Sequence, residues 1–374
     1  MKNDLDVTVL MAVYNGEKYL KNAIDSILNQ TYNNFEFLII NDGSNDNTKK
    51  ILDSYDDKRI RIIHNRKNQG LTKCLHDGVV KSKGKYIARL DADDIALPDR
   101  LLIQKEYLDN NDNVLVVHSM FHYINDNGDI IYKNLGNNES NIFIKWNLLY
   151  KNRLQHSTVM FKKLIYTKYK LNYNVSYKRS QDYELWSQIS HVGDFKFIPV
   201  PLILFRLHDK SITTNVTGEE HLNANLNIII DNFKRYGIKI DKDFAGELSV
   251  LNWQLAVSPF GYNYKYIVDR LHNIIDDIEN KFIEKFNINP NELYPIQAKQ
   301  YCKWAFFIFP TAKKYSFLLL EKSFKKKKCI IFNLFFLSTL FSFILGKRFL
   351  YLLYNCSQSF PKYSNYIMRL FKAK

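Results

Sequence analysis

Cysteine is scarce in this chain: four in 374 residues, Cys74, Cys302, Cys329 and Cys356, with no C-x-x-C pair among them. That spacing argues against a zinc site and a disulfide framework and suits a reducing cytosol. Glycine-rich phosphate loops are missing too. No G-x-G-x-x-G follows the first apolar run and no G-x-x-x-x-G-K-[ST] occurs anywhere, which counts against a dinucleotide-binding fold and a P-loop NTPase. The N-terminus, with Asp4 and Asp6 ahead of a short apolar strand, does not read as a signal peptide. Acids are nearly absent from the tail. Residues 301–374 hold fourteen Lys and Arg against the single acid Glu321, a net of +13, which leaves only +2 of the overall +15 for residues 1–300. The basic character belongs to the tail, and nucleic acid is not implied as a partner of the body.

What is present is an alternation of strand-like and helix-like stretches. Val7 to Val13 is a continuous apolar run fit for a parallel strand buried on both faces. It ends at the turn Tyr14-Asn15-Gly16. Glu17 to Gln30 then places Tyr19, Leu20, Ala23, Ile24, Ile27 and Leu28 at helical spacing. Strands are expected over Phe35 to Ile40 and Ile60 to His64, helices over Asp46 to Tyr55 and Leu71 to Lys81, and a fourth strand over Tyr86 to Leu90. Such alternation predicts an α/β domain with a mostly parallel sheet flanked by helices. Ligands of these sheets bind beyond the carboxyl ends of the strands, where Tyr14, Asp42, Arg66 to Gly70 and Asp91 to Asp94 are all expected to lie.

The fourth strand runs into Asp91-Ala92-Asp93-Asp94. Carboxylates this close repel one another unless a cation sits among them. A hard divalent ion, Mn²⁺ or Mg²⁺, binds one or two carboxylates plus phosphate oxygens, so this edge is suited to a nucleoside diphosphate. An acidic turn capping the next helix is the plainer alternative. Tyr14 could stack on a base, Asp42 could accept a hydrogen bond from a base or ribose, and Arg66 or Asn68 could reach a ribose or phosphate. Ala12 and Ala92 are grouped with them on the donor side. Each also has an ordinary reading, as turn, surface aromatic or solvated cation.

Taken together, Val7-Thr8-Val9-Leu10-Met11-Ala12-Val13-Tyr14-Asn15, Ser26-Ile27-Leu28-Asn29-Gln30-Thr31-Tyr32, Asn41-Asp42-Gly43-Ser44, Asn68-Gln69-Gly70-Leu71 and Arg89-Leu90-Asp91-Ala92-Asp93-Asp94 resemble family 2 glycosyltransferases of the GT-A fold, a Rossmann-like α/β architecture. The likeness covers roughly residues 5–215. It implies inverting transfer of a sugar from a nucleoside diphosphate donor, with Asp42 at the nucleobase, Asp91 at the ribose and Asp93 on the metal.

Direct displacement with inversion needs one carboxylate to take the acceptor hydroxyl proton. Gln181-Asp182-Tyr183-Glu184-Leu185-Trp186 matches the [ED]-D-x-x-L-W pattern that holds the base in the resembling family, with Gln in the first place, and so assigns that role to Asp182. A helix N-terminal carboxylate is the structural alternative. His156, in Gln155-His156-Ser157-Thr158, is a candidate on the acceptor side or a hydrogen-bonding core residue. Arg206-Leu207-His208-Asp209-Lys210-Ser211 resembles the family's R-x-H-x-x-S, so Arg206 or His208 could stabilise the departing diphosphate. A surface ion pair is the rival.

Domains are expected at 1–218, catalytic, and 219–374, a helical, basic and aromatic-rich extension. Within that extension, residues 303–374 include the uncharged run Cys329 to Leu345, flanked by Lys325 to Lys328 and by Lys347-Arg348. Seventeen helical residues reach about 25 Å, at or just under a bilayer core. Lysines interleaved with aromatics suit the anionic surface of an inner membrane, and the expected location is its cytoplasmic face, peripherally bound. A helix buried in the fold or in a homodimer through this region is the other reading. The expected acceptor is a lipid-linked cell-surface glycan. A non-catalytic nucleotide-sugar-binding partner and a sugar nucleotidyltransferase are the alternatives. The first has no need of a base at Asp182, and the second would begin with a glycine-rich loop that Tyr14-Asn15-Gly16-Glu17 does not supply.

Overall fold

A computed structural model describes residues 5–134, 139–209, 219–253 and 264–308. Its first four strands are β1 (Val7–Val13), β2 (Phe35–Asn41), β3 (Ile60–His64) and β4 (Tyr86–Arg89), the first three separated by helices α1 (Leu20–Leu28) and α2 (Thr48–Asp53), with α3 (Leu71–Lys81) before β4. All four are parallel in the order β3-β2-β1-β4. Alternation sorts each strand between two cores. Val7, Val9, Met11 and Val13 face a cluster with Leu20, Ala23, Ile24 and Ile27 of α1, while Leu10 faces Cys74, Leu75 and Val79 of α3. Cys74 is a buried free thiol.

After β4 come β5 (Ile95–Ala96), α4 (Arg100–Asp109), β6 (Val114–Ile124), β7 (Ile130–Lys133), α5 (Asn141–Leu148), a 3-10 turn His156–Thr158, β8 (Val159–Lys162), α6 (Leu164–Thr167), α7 (Gln181–Ile189) and β9 (Asp194–Arg206). The nine strands of the described residues form one mixed sheet. β8 pairs antiparallel with β4 and β6, β9 runs parallel to β6, and β5 and β7 add antiparallel to β9 and β6. This is the mixed α/β architecture expected of a GT-A fold.

Two strands run further than their apolar patterns suggest. β6 continues past His118 to Ile124, and β9 begins at Asp194 rather than Leu202. Their pairing shifts register three times, near Val114, Ser119 and Met120. Pro199 and Pro201 explain part of this, since proline cannot donate to a ladder and is tolerated at bulges. The first helix starts later than its periodicity predicts. Glu17 is drawn into the β2–α2 loop, accepting from the Asn47 amide at 3.0 Å, and Lys18 reaches Asp126 at 2.6 Å. Ser140 caps α5, accepting from Phe143 N at 3.1 Å, and residues 135–138 lie outside the described residues.

The chain divides into two units between Ile228 and Ile229, within α8 (Glu219–Lys234). The second unit contains α9 (Lys242–Trp253), α10 (Tyr264–Phe286) and α11 (Pro290–Ile308), and buries Phe244, Leu248, Ile278, Phe282, Leu293 and Trp304. Pro290 starts α11, and Pro295 lies inside it. None of the described helices is long and apolar enough to cross a membrane. The run Cys329 to Leu345 lies outside the described residues.

One buried carboxylate ties the base of the parallel sheet together. Glu36 on β2 accepts from Thr8 Oγ at 2.7 Å, from Arg61 Nη at 2.9 Å and from the Lys83 amide, while Thr8 Oγ in turn accepts from Gly84 N at 2.8 Å. Gly84 is obligatory there because a Cβ would lie 2.4 Å from Thr8 N. Glu36→Ala strands these donors and is predicted to cost about 3 kcal/mol, within the range for breaking a buried pair. Urea unfolding then shows a lower midpoint at unchanged slope; an unchanged midpoint contradicts this assignment.

Candidate active site

The β1–β4 loops meet along one edge and are laced together by their own side chains. Asn15 N donates to Ser44 Oγ at 3.0 Å, Gly16 N to Thr48 Oγ at 2.8 Å, and Glu17 N to Asp46 at 3.0 Å. Tyr14 is left with its ring 47% exposed at the rim, free to stack. Ala12 is half-buried, and Ala92 Cβ lies 3.8 Å from where a Cβ on Gly16 would stand.

Asp42 is buried, and its carboxylate accepts from Asn65 Nδ2 at 2.8 Å, Gln69 N at 2.9 Å and Gly70 N at 2.8 Å. It therefore holds the loop that presents Arg66 and Asn68, both of which are exposed. Gly43 makes this approach possible: its φ is +69°, and a Cβ would stand 2.6 Å from the Lys67 carbonyl carbon.

The three clustered carboxylates separate into three environments. Asp91 pairs with the buried Arg89 guanidinium and accepts from Ser157 Oγ at 3.0 Å. Burial alone would raise its pKa, but the Arg89 charge, together with the Ser157 hydrogen bond, holds it below the usual carboxylate range. Asp94 is fully buried, and burial followed by repulsion from Asp93 and Asp91 pushes its pKa well above the usual carboxylate range; it accepts from Arg206 N at 2.9 Å. Asp93 lies 2.9 Å from His208 Nε2. Burial and then the Asp91 charge raise its pKa, with His208 acting in the opposite direction.

Among the described residues no group of three or more His, Cys, Asp and Glu side chains is gathered for a metal ion. The pair Asp93 and His208 nevertheless fits a hard divalent cation that takes its other ligands from a diphosphate and solvent. No Lys or Arg pairs with the Asp93 carboxyl among the described residues.

Arg206 is buried beneath this loop. Its Nε donates to the Asp93 carbonyl at 2.8 Å, and Nη1 donates to the carbonyls of Asn125 and Asp126 at 2.6 and 2.9 Å. Its guanidinium also covers the Tyr19 ring at 4.6 Å. His156 is buried as well, its Nε2 accepting from Arg89 Nε at 3.3 Å and sharing a 2.8 Å hydrogen bond with Tyr173 Oη. Burial and then the neighbouring Arg89 push its pKa down to about 3, so the imidazole is neutral. Its ring meets Trp186 of α7 edge-on at 6.1 Å.

Asp182 sits in the first turn of α7, after Ser180 with φ +58°. Burial pushes its carboxyl up to about 6; the backbone amides of Tyr183 and Asp182 and the Asn152 side chain oppose that rise, and the Asp91 charge adds to it. Asn152 Nδ2 donates to Asp182 Oδ2 at 2.7 Å. Neither Asn152 nor the supporting Ser157 and Tyr173 stands out in the sequence, since each acts through a tertiary contact. Arg89 did carry a signal: a charge at the end of an apolar strand demands a partner.

Comparison with known proteins places this geometry. The model for glycosyl transferase family 2 matches residues 8–184. An uncharacterized glycosyltransferase of Haemophilus influenzae is 34% identical over 256 residues, covering 65% of this chain and 78% of that protein. The chain belongs to glycosyl transferase family 2. An uncharacterized glycosyltransferase of Methanocaldococcus jannaschii is 39% identical over 195 residues, 51% of this chain and 66% of its own. The crystal structure of S. aureus TarS 1-349 in complex with UDP-GlcNAc shares the fold, with a TM-score of 0.56 at 13% identity over 87% of this chain and 92% of that one. As a family 2 member the chain is an inverting glycosyltransferase acting on nucleotide-sugar donors.

Asp42→Asn keeps the shape of the side chain but turns an amide donor toward an N–H at Gln69 or Gly70. The expected loss is about 1–3 kcal/mol, the cost of an unsatisfied buried group, with faster hydrogen exchange at these two amides. Protection equal to wild type removes Asp42 as the clamp of this loop.

Proposed function

We propose that this transferase moves a sugar from a UDP-sugar to a hydroxyl of a lipid-linked, cell-surface glycan (lipopolysaccharide O-antigen, lipooligosaccharide or capsule), with Asp182 as general base. The observation that carries this reading is the Asp182 carboxyl, poised at about 6, held by Asn152 and within electrostatic reach of Asp91. A base with a pKa just below neutrality is ionised at pH 7 yet still basic enough to take a proton in the transition state.

The acceptor oxygen forms its bond to the anomeric carbon as the bond from that carbon to the diphosphate oxygen breaks, and the hydroxyl proton passes to Asp182. The electron pair leaves with the diphosphate. On the donor side Tyr14 stacks on the base, Asp42, with the Arg66–Asn68 loop it clamps, reads base and ribose, and Asp91 accepts from the ribose while Arg89 keeps it ionised. Asp93 and His208 would hold Mn²⁺ or Mg²⁺, which when bound neutralises the diphosphate. Arg206 supports that loop through backbone carbonyls, and His156 links the Asp91 side to α7. The likeness of fold to TarS with UDP-GlcNAc favours UDP, and the basic, aromatic tail favours the cytoplasmic face of the inner membrane, with association through the tail.

Asp182→Asn is expected to lower turnover by about 10²–10⁴, the usual contribution of a general base, while a UDP-sugar binds as before. Asp93→Ala or EDTA instead weakens donor binding. In wild type kcat/KM falls on the acid side with an apparent pKa of about 6. A raised carboxyl also destabilises the fold as pH rises from the unfolded value through the folded one, so Asp182→Asn raises Tm at pH 7. Normal turnover by Asp182→Asn rejects the base assignment.

A further inference from the structure

A cavity of about 550 Å³ is lined by Ser176, Tyr177, Lys178, Arg179, Asn223, Ala224 and Asn227. Its wall is the segment that leads through Ser180 into α7, so it opens within a few residues of Asp182. The same segment is fastened to the donor side. Thr72 Oγ on the first turn of α3 donates to the Tyr177 carbonyl at 2.6 Å, and His76 Nδ1 meets the Tyr173 carbonyl at 2.8 Å. α3 begins directly after the Asn68-Gln69-Gly70 loop, so the cavity wall is tied at one end to the donor loop and at the other to the base.

The charge of this wall is one-sided. Lys178 and Arg179 are both exposed, and among the described residues neither forms an ion pair and no carboxylate lines the cavity. Asn223 and Asn227 add neutral donors from one face of α8, four residues apart and therefore on the same side of the helix. Two unneutralised cations with amide donors opposite suit a phosphate or diphosphate, for which guanidinium and ammonium groups supply charge-assisted hydrogen bonds. A neutral sugar would leave these charges idle.

We infer that this cavity is the acceptor subsite, and that Lys178 and Arg179 select acceptors carrying a phosphate or diphosphate close to the hydroxyl that Asp182 activates. This rests on the transfer reading above. Binding of the acceptor's anion next to Asp182 fixes its hydroxyl for attack, so the pair acts on acceptor binding and leaves donor binding to the opposite loops.

The test uses the full chain, with Lys178→Gln/Arg179→Gln and the charge-conserving Lys178→Arg/Arg179→Lys. UDP is titrated first; binding by all three proteins shows an intact donor side, whereas failure of wild type to bind any nucleotide removes the transfer reading itself. With the donor site saturated by UDP, decyl diphosphate, decyl β-glucoside and glucose 6-phosphate are then titrated. Wild type is expected to bind decyl diphosphate at least tenfold more tightly than decyl β-glucoside. The Gln double variant loses that preference by tenfold or more, the charge-conserving variant keeps it, and added salt weakens it. Loss for decyl diphosphate alone assigns the anion to a lipid headgroup, and loss for glucose 6-phosphate as well assigns it to phosphate in general; both support the subsite. Equal binding of decyl diphosphate by wild type and the Gln variant overturns it. So does an equal loss of binding to phosphatidylglycerol vesicles that lack any diphosphate lipid, which makes the pair a membrane contact.

Discussion

The site depends on one buried guanidinium. Arg89 is fully enclosed at the end of β4, where it donates to the carbonyls of Leu10 and Leu90 at 2.6 and 2.8 Å, pairs with Asp91 and donates to His156 at 3.3 Å. An enclosed cation is costly unless every direction offers an acceptor, so this arrangement fixes the positions of its acceptors in turn. Through Leu10 it holds the central strand, through Asp91 the donor edge, and through His156 it reaches Tyr173 and Trp186 of the helix that bears Asp182. The proposed donor and base sides are thus referenced to one side chain.

The same charge decides the titration of the carboxylates. Arg89 holds Asp91 below the usual carboxylate range, while burial and mutual repulsion raise Asp94 and Asp93, with His208 opposing the rise at Asp93. Asp182 lies on the other side of this field and feels Asp91 as repulsion, which adds to burial in bringing it to about 6. Four acids in one site therefore have four different tasks because their surroundings differ, not their chemistry. Burial of Asp182 costs stability and supplies basicity, a trade common at catalytic groups.

Much of this was legible in the sequence, for definite reasons. Strands buried on both faces read as uninterrupted apolar runs, so β1 to β4 and their loops emerge directly, and the edge that gathers Tyr14, Asp42 and Asp91 follows from the parallel order. Asp182 is legible through the pattern Gln181 to Trp186. The lengths of β6 and β9 were not, because His118, Ser119, Pro199 and Pro201 interrupt their patterns at register shifts. Repulsion among Asp91, Asp93 and Asp94 was foreseen, but the pairing of Asp91 with Arg89 and of Asp93 with His208 needs tertiary distances. Asn152 reaches Asp182 from thirty residues away, and Arg206, expected to face the departing diphosphate or to form a surface ion pair, lies beneath the Asp93 loop and donates to backbone carbonyls. Both roles come from packing, which local pattern does not encode.

The central claim is that Asp182 is the base and that its surroundings set its basicity. The most direct test is the pH dependence of kcat/KM in Asn152→Ala compared with wild type, with UDP affinity measured in parallel. Asn152 donates to the carboxylate and so lowers its pKa; without it the acid limb moves to higher pH while UDP binds unchanged. An acid limb that stays where it is in wild type, with turnover retained, means that the titrating group is not Asp182.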